Sequence, residues 1–137
     1  MGFRQDIREA IEARLSDNWT STDISWDNVP YTPEANTAFI RLMIDEVDSR
    51  QVSMADTPCH RIFGIIHIPI MVPVGTGTDT AKGYSDALGD IFRNADFSSI
   101  ICRSPKTVRV GDVGEHYQFS WLCNFQADKA LSNATAA

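Results

Sequence analysis

The chain has few of the residues that announce a chemistry. It holds three cysteines and three histidines in 137 residues. Cys59, Cys102 and Cys123 are widely spaced, odd in number and without a CxxC pair, which argues against a disulfide framework and against a zinc site. They read as buried thiols of a reducing compartment. Basic residues are also scarce: twelve against eighteen acids give a net charge of −6 and a pI near 4.9. That is the wrong sign for a protein that holds DNA by neutralising phosphates. The longest nearly apolar run, Ile62 to Val74, is broken by Gly64, His67, Pro69 and Pro73 and is too short to cross a bilayer. No membrane association, metal or cofactor is expected. The sequons Asn18-Trp19-Thr20 and Asn133-Ala134-Thr135 carry no meaning without secretion.

What is present suits one ordinary domain. Hydrophobic residues at 43% and charged residues at 22% are near globular averages, and the length fits a single core. Charge is uneven: residues 1–60 hold eleven acids and five bases, residues 61–137 seven of each. Phe3, Ile7, Ile11, Leu15 and Trp19 recur every fourth position with charges between them, the signature of an amphipathic helix. Ile24-Ser25-Trp26 can form a short strand before an irregular Asp27 to Pro33 passage. Ala38 to Val47 alternates with a period of two, and a weaker alternation continues at Val52 and Met54. The Asp48-Ser49-Arg50 segment between them reads as a hairpin turn or as a bulge in one long strand. Ile62, Gly64, Ile66, Ile68, Ile70 and Val72 share one face of a further strand, in which Pro69 predicts an edge or a bulge.

After a Gly75-Thr76-Gly77 turn, Thr78 or Asp79 can cap a second helix that runs to about Asn94 and buries Ala81, Tyr84, Leu88, Ile91 and Phe92. Short strands follow at Ser99–Cys102, Lys106–Val110 and Tyr117–Phe125, with Gly111 and Gly114 in the last turn. The order α-β-β-β-α-β-β-β predicts an α+β domain, two helices on one face of a mostly antiparallel sheet. Residues 1–126 form this domain and residues 127–137 read as a flexible tail.

Candidate chemistry is sparse. The Gly75-Thr76-Gly77 turn lies where backbone amides can cradle phosphate, but Lys82 is followed by Gly83 rather than Ser or Thr. The position where a dinucleotide fingerprint needs its third glycine is Thr80. His67 alternates with isoleucines and reads as a hydrogen-bonded histidine of a core or interface. A Cys102–His116 nucleophile pair is permitted but has no local signature. Asp45, Glu46 and Asp48 cluster at a strand end, as solvated turns do.

The Trp26-Asp27-Asn28-Val29-Pro30-Tyr31-Thr32-Pro33 passage has the form W-x-N-x-P-[aromatic]-x-P. With the opening helix, the strand Phe39-Ile40-Arg41-Leu42, the strand from Arg61-Ile62-Phe63-Gly64 into Val72-Pro73-Val74-Gly75-Thr76-Gly77, the helix end Ile91-Phe92-Arg93 and the closing Gly111–Phe125 hairpin, it resembles the tail terminator, or tail completion, proteins of long-tailed bacteriophages. The resemblance spans about residues 5–126; Cys59-His60-Arg61 departs from the small or polar residues expected there. It implies a non-enzymatic virion protein, put together in the host cytoplasm, that forms a homo-oligomeric, hexameric ring on the head-proximal end of the tail tube. Such a ring halts polymerisation of the major tail tube protein and presents a surface to the head connector proteins, while DNA passes through without specific binding. Met71, Val72, Val74, Thr76 and Asp79 become the candidate contacts to a neighbouring subunit or the tube. Asp45, Glu46 and Asp48 become candidates to face the lumen, where acids would repel the duplex. Two other readings stay open: a head–tail connector or neck protein of the same virion, and a small α+β enzyme using Cys102 or His67.

Overall fold

A computed structural model describes residues 2–32, 36–54, 58–75 and 77–130. Helix α1 spans Phe3–Asn18 and strand β1 Asp23–Trp26; β2 (Phe39–Gln51) and β3 (Cys59–Pro73) precede helix α2 (Asp79–Phe92). Then come β4 (Asp96–Phe97), β5 (Ile100–Cys102), β6 (Lys106–Val113) and β7 (His116–Ala130). The fold is α+β, with two helices among the described residues and one curled, mostly antiparallel sheet in the order β1-β2-β3-β7-β5-β4, β6 also pairing with β7. Only β1 runs parallel to its neighbour β2 among the described pairs.

The fourfold spacing of apolar residues places Ile7, Ile11 and Leu15 on one buried stripe of α1. At its start the Gly2 amide donates to Gln5 Oε1 at 2.9 Å, and at its end the Trp19 amide donates to the Leu15 carbonyl. The Trp19 ring meets Tyr84 of α2 edge-on at 5.6 Å. Arg14 Nε donates to the Ile91 carbonyl at 2.7 Å, so both helices lie on the same side of the sheet. Under them lie Ile62, Ile66, Ile68, Ile70 and Val72 of β3 with Phe119, Trp121, Cys123, Phe125 and Ala127 of β7, all buried. Register explains the match: Gly64 faces Phe125, Ile66 faces Cys123 and Ile68 faces Trp121. The opposite face, which carries Phe63, Ile65, His67 and Met71, is only half-buried.

Several strand details differ from the sequence reading. Strand β3 is central, flanked by β2 and β7, and not an edge at Pro69. The proline is accommodated by a gap in the β2–β3 ladder, which pairs Ile40 with Ile70 and then Met43 with His67. Asp48-Ser49-Arg50 is no turn: β2 continues to Gln51 through a bulge between Glu46 and Asp48. Gly111, at φ 108°, belongs to a bulge inside β6 rather than to the hairpin turn. Thr78 occupies the N-cap position of α2 without a side-chain cap bond. The last strand does not fray at Ala127, because β7 stays paired with β3 through Ala130, with Asp128 bonded bidentately to Arg61 at 2.7 and 3.1 Å. Residues 131–137 of the expected tail lie outside the described residues.

Beyond Asp128, Lys129 Nζ lies 2.6 Å from Asp6 Oδ2 and ties the end of β7 to the start of α1. The hydrogen bond from Lys129 lowers the Asp6 pKa, and hydrogen bonds from Arg4 and Arg50 likewise lower those of Glu46 and Asp48. A carboxylate with a depressed folded-state pKa contributes stability that is fully present above its unfolded value and is lost as pH falls through the folded one. Melting temperature should therefore hold at neutral pH and fall below the ordinary carboxylate range. Lys129→Met should lower it at pH 7 and converge on the wild type at pH 2, as thermal melts across that range will show. A pH-independent difference would mean that Lys129 acts through packing of its stem instead.

Candidate functional site

One end of the sheet gathers three connections. Strand β3 runs out at Val74, α2 begins at Asp79, and the β6–β7 hairpin turns at Gly114-Glu115, where the Val74 amide donates to the Glu115 carbonyl at 3.3 Å. Gly75 and Gly77 hold φ of 92° and 76°, the left-handed region that favours glycine. Exposed apolar side chains mark this end, Val74 at 53% and Val113 at 43% exposure.

Of the contact candidates, Val74 and Asp79 are exposed here. Thr76 lies outside the described residues. Met71 is half-buried on the helix-free face between Phe39 and Gln118 of the flanking strands. Val72 is corrected: it is fully buried, because the alternation that exposes Met71 turns Val72 under the helices, where it belongs to the core.

The three acids do not form one wall. Strand alternation sends Asp45 and Asp48, opposite Ile65 and Phe63, to the helix-free face, while Glu46, opposite Gly64, turns toward α1. There Glu46 accepts two bonds from Arg4, at 2.5 and 3.0 Å. Asp48 is paired with Arg50 of the same strand. The register also puts Arg41, Arg50, Arg61 and Lys106 on the helix-free face, with Asp23, Asp96 and Asp128 beside Asp45 and Asp48, so that face is mixed in charge and not an acidic wall. All three acids lie inside β2, not at its end.

The thiol–imidazole pair is not assembled. Cys102 faces Phe125 near one end of β7 and His116 begins the other, nine residues away, which is about 30 Å at ~3.3 Å per residue. His116 Nε2 lies 3.0 Å from the Thr37 carbonyl and its ring packs edge-on against Phe39. Cys102 is buried beside Cys123, and the hydrogen bond between the thiols together with burial pushes the Cys102 pKa up. It stays protonated and is a poor nucleophile. His67 Nε2 sits 3.2 Å from Ser120 Oγ on the half-buried sheet face. Among the described residues, no group of three His, Cys, Asp or Glu side chains could hold a metal, and no helix is long and apolar enough to cross a membrane. A cleft of about 200 Å³ lies between α1 and the sheet, floored by Ile7, Leu42, Ile44, Ile62 and Phe125. Four of the five charged side chains lining it pair with each other, Arg4 with Glu46 and Arg8 with Glu12, and Asp27 is the fifth.

What sequence reading missed is the exposure of the sheet edges. Lys106–Val113 is exposed almost throughout, with Val108, Val110 and Val113 in solvent, and the second half of β2 leaves Val47 at 65% exposure. The available signal was valines alternating with charged or small residues, without a second apolar set to mark a buried face.

A family model for phage tail terminator proteins matches residues 6–118, which take in most of α1, all of β1 to β6 with α2, and the start of β7. The chain belongs to the phage tail terminator family. The terminator also superposes on a solved structure with a TM-score of 0.68 at 19% identity, covering 91% of this chain and 96% of that one; at such identity the likeness concerns the fold alone. Among curated proteins nothing matches the terminator. The family is one of structural phage tail proteins, so this terminator is a virion component that works by contact with other tail or head components. Its exposed valines and open sheet edges are then the surfaces to consider, ahead of any cleft.

Proposed function

We propose that the protein caps the head-proximal end of the phage tail tube as a hexameric ring, stops polymerisation of the major tail tube protein and joins the tail to the head connector. The match to the terminator family across residues 6–118 carries this reading. Two features support it. Apolar side chains are exposed at the Val74–Val113 end, where a stacked partner would cover them. Arg4 and Arg8 at the α1 cleft are paired with Glu46 and Glu12, and His67 and His116 lie against Ser120 and the Thr37 carbonyl, so these groups do not converge on a reacting centre. Val74, Asp79 and Met71 are the proposed contact residues, Val72 acting only from the core. DNA passes through the ring without specific binding; with Glu46 on the other face, repulsion by the three acids is no part of the proposal.

The decisive experiment is tube growth in vitro. Added to polymerising tube protein, the chain should stop elongation at substoichiometric amounts, and native mass spectrometry of the capped ends should give six copies. Val74→Asp should weaken capping at least tenfold with an unchanged melt, since an exposed substitution shifts stability by about 0.5 kcal/mol or less. Tubes that elongate unhindered while the protein binds the isolated connector would replace this reading with that of a neck protein.

A further inference from the structure

Beside the short outer strands β1 and β4, the sheet has two long uncovered edges among the described residues, and they match each other. Strand β1 pairs only with Phe39, Ile40, Arg41 and Leu42, so no strand covers the outer side of β2 from Met43 to Gln51 among the described residues. On the far side, β6 pairs with β7 and no described strand covers its own outer side. The open run of β2 is nine residues long and β6 is eight. An open edge presents unpaired backbone N–H and C=O groups, a template for another strand.

We infer that β6 of one subunit adds to the open half of β2 in the next, so that identical copies join edge to edge into one continuous sheet; this rests on the ring reading above and names its subunit contact. Charge selects the partner. The open half of β2 carries Asp45, Glu46 and Asp48 against Arg50, whereas β6 carries Lys106 and Arg109 against Asp112. Asp45, Lys106 and Arg109 make no ion pair among the described residues. By register Asp45 and Lys106 both point to the helix-free face, where cross-strand opposite charges attract. Two β2 edges, or two β6 edges, would instead set like charges side by side. Self-pairing into a twofold dimer is therefore disfavoured and head-to-tail pairing favoured, the kind of contact that closes into rings.

Topology agrees. Strands β2, β3, β7 and β6 alternate in direction. Rotation about an axis roughly along them brings the next β2 antiparallel to β6, so four strands per copy keep the alternation around a ring of any size. The edges are offset: Arg109 of β6 lies level with Phe119, Ile70 and Ile40, seven residues from Val47 at the middle of the open half of β2. That offset is about 23 Å along the strands, against about 19 Å across four strands at ~4.8 Å each. Strands in the ring would tilt by about 50°, near the ~35–45° of closed barrels.

Cysteine cross-linking tests the pairing. In a Cys59→Ser background, with Cys102 and Cys123 buried, the double variant Val47→Cys/Val110→Cys should form a covalent ladder up to the ring on mild oxidation. The two single variants should cross-link when mixed and neither should do so alone. Lys106→Glu/Arg109→Glu should weaken self-association at least tenfold at low salt, and adding Asp45→Lys/Asp48→Lys to the same chain should restore it. Dimers from Val47→Cys alone or Val110→Cys alone would overturn the proposal in favour of twofold pairing. Rings that form in sedimentation without the ladder, and that ignore the charge reversal, would overturn the edge contact and leave the ring standing. A wild-type chain that stays monomeric even on tube ends would remove both.

Discussion

Ile11→Asp should abolish folding. Ile11 is fully buried in the middle of the α1 stripe, between Ile7 and Leu15 and within the core that the helices share with β3 and β7. Removing the isoleucine forfeits about 2–3 kcal/mol of burial, and an unpaired carboxylate in its place costs several more. The sum is comparable to a whole domain's stability of roughly 5–15 kcal/mol. No cooperative thermal transition should survive, and the protein should be found in aggregates on expression. Ile11→Val, which keeps the shape and loses one methylene, should fold and cost only about 1 kcal/mol. A soluble Ile11→Asp protein with a cooperative melt would show that α1 does not dock on the sheet.

That prediction could be made from sequence because the fourfold repeat of Ile7, Ile11 and Leu15 has one structural solution, a helix laid on something apolar. The alternating isoleucines of β3 were legible as a strand for the same reason, but not which of its two apolar faces the helices cover. Elements held by backbone geometry were not. The β4–β5 hairpin pairs Asp96 with Ile101 and Phe97 with Ile100 across a two-residue turn, Ser98-Ser99, both at positive φ. Such a turn is usually announced by Asn-Gly, and two serines give no such signal. Pro69 misled in the opposite sense, since one lost ladder bond is tolerable in a strand otherwise paired on both sides. The candidate site was legible only as a region. Chain order marked the Val74–Asp79 turn, but whether Val72 faced the core depended on the phase of β3, and the separation of Glu46 from Asp45 and Asp48 depended on strand pairing. Both open edges are properties of the sheet order, which no local pattern encodes.

The second large effect lies where the core meets the open half of β2. Gly64 pairs with Phe125 across β3 and β7 and with Glu46 across β3 and β2. A Cβ at Gly64 would sit 2.5 Å from the Asp45 carbonyl oxygen and 2.6 Å from Phe125 Cζ. The ring could rotate aside, but the carbonyl is backbone and moves only with its strand. Overpacking a core typically costs about 1–3 kcal/mol, and displaced backbone puts Gly64→Ala at the upper end. At about 3–4 °C per kcal/mol for a chain of this size, the melting temperature should fall by about 10 °C. Gly83→Ala is the control: it lies in α2 with nothing within 4 Å of the added Cβ, so helix propensity should raise stability by about 1 kcal/mol. Adding Phe125→Leu to Gly64→Ala should recover part of the loss by relieving the ring contact, and leave the part owed to the Asp45 carbonyl. Because that carbonyl belongs to the strand proposed to receive β6, Gly64→Ala should also weaken self-association after correction for the unfolded fraction, while Gly83→Ala leaves it unchanged. A Gly64→Ala protein that melts like the wild type would mean that β2 and the Phe125 ring do not close over this glycine. One that melts low but assembles normally would separate the position of Asp45 from the subunit contact.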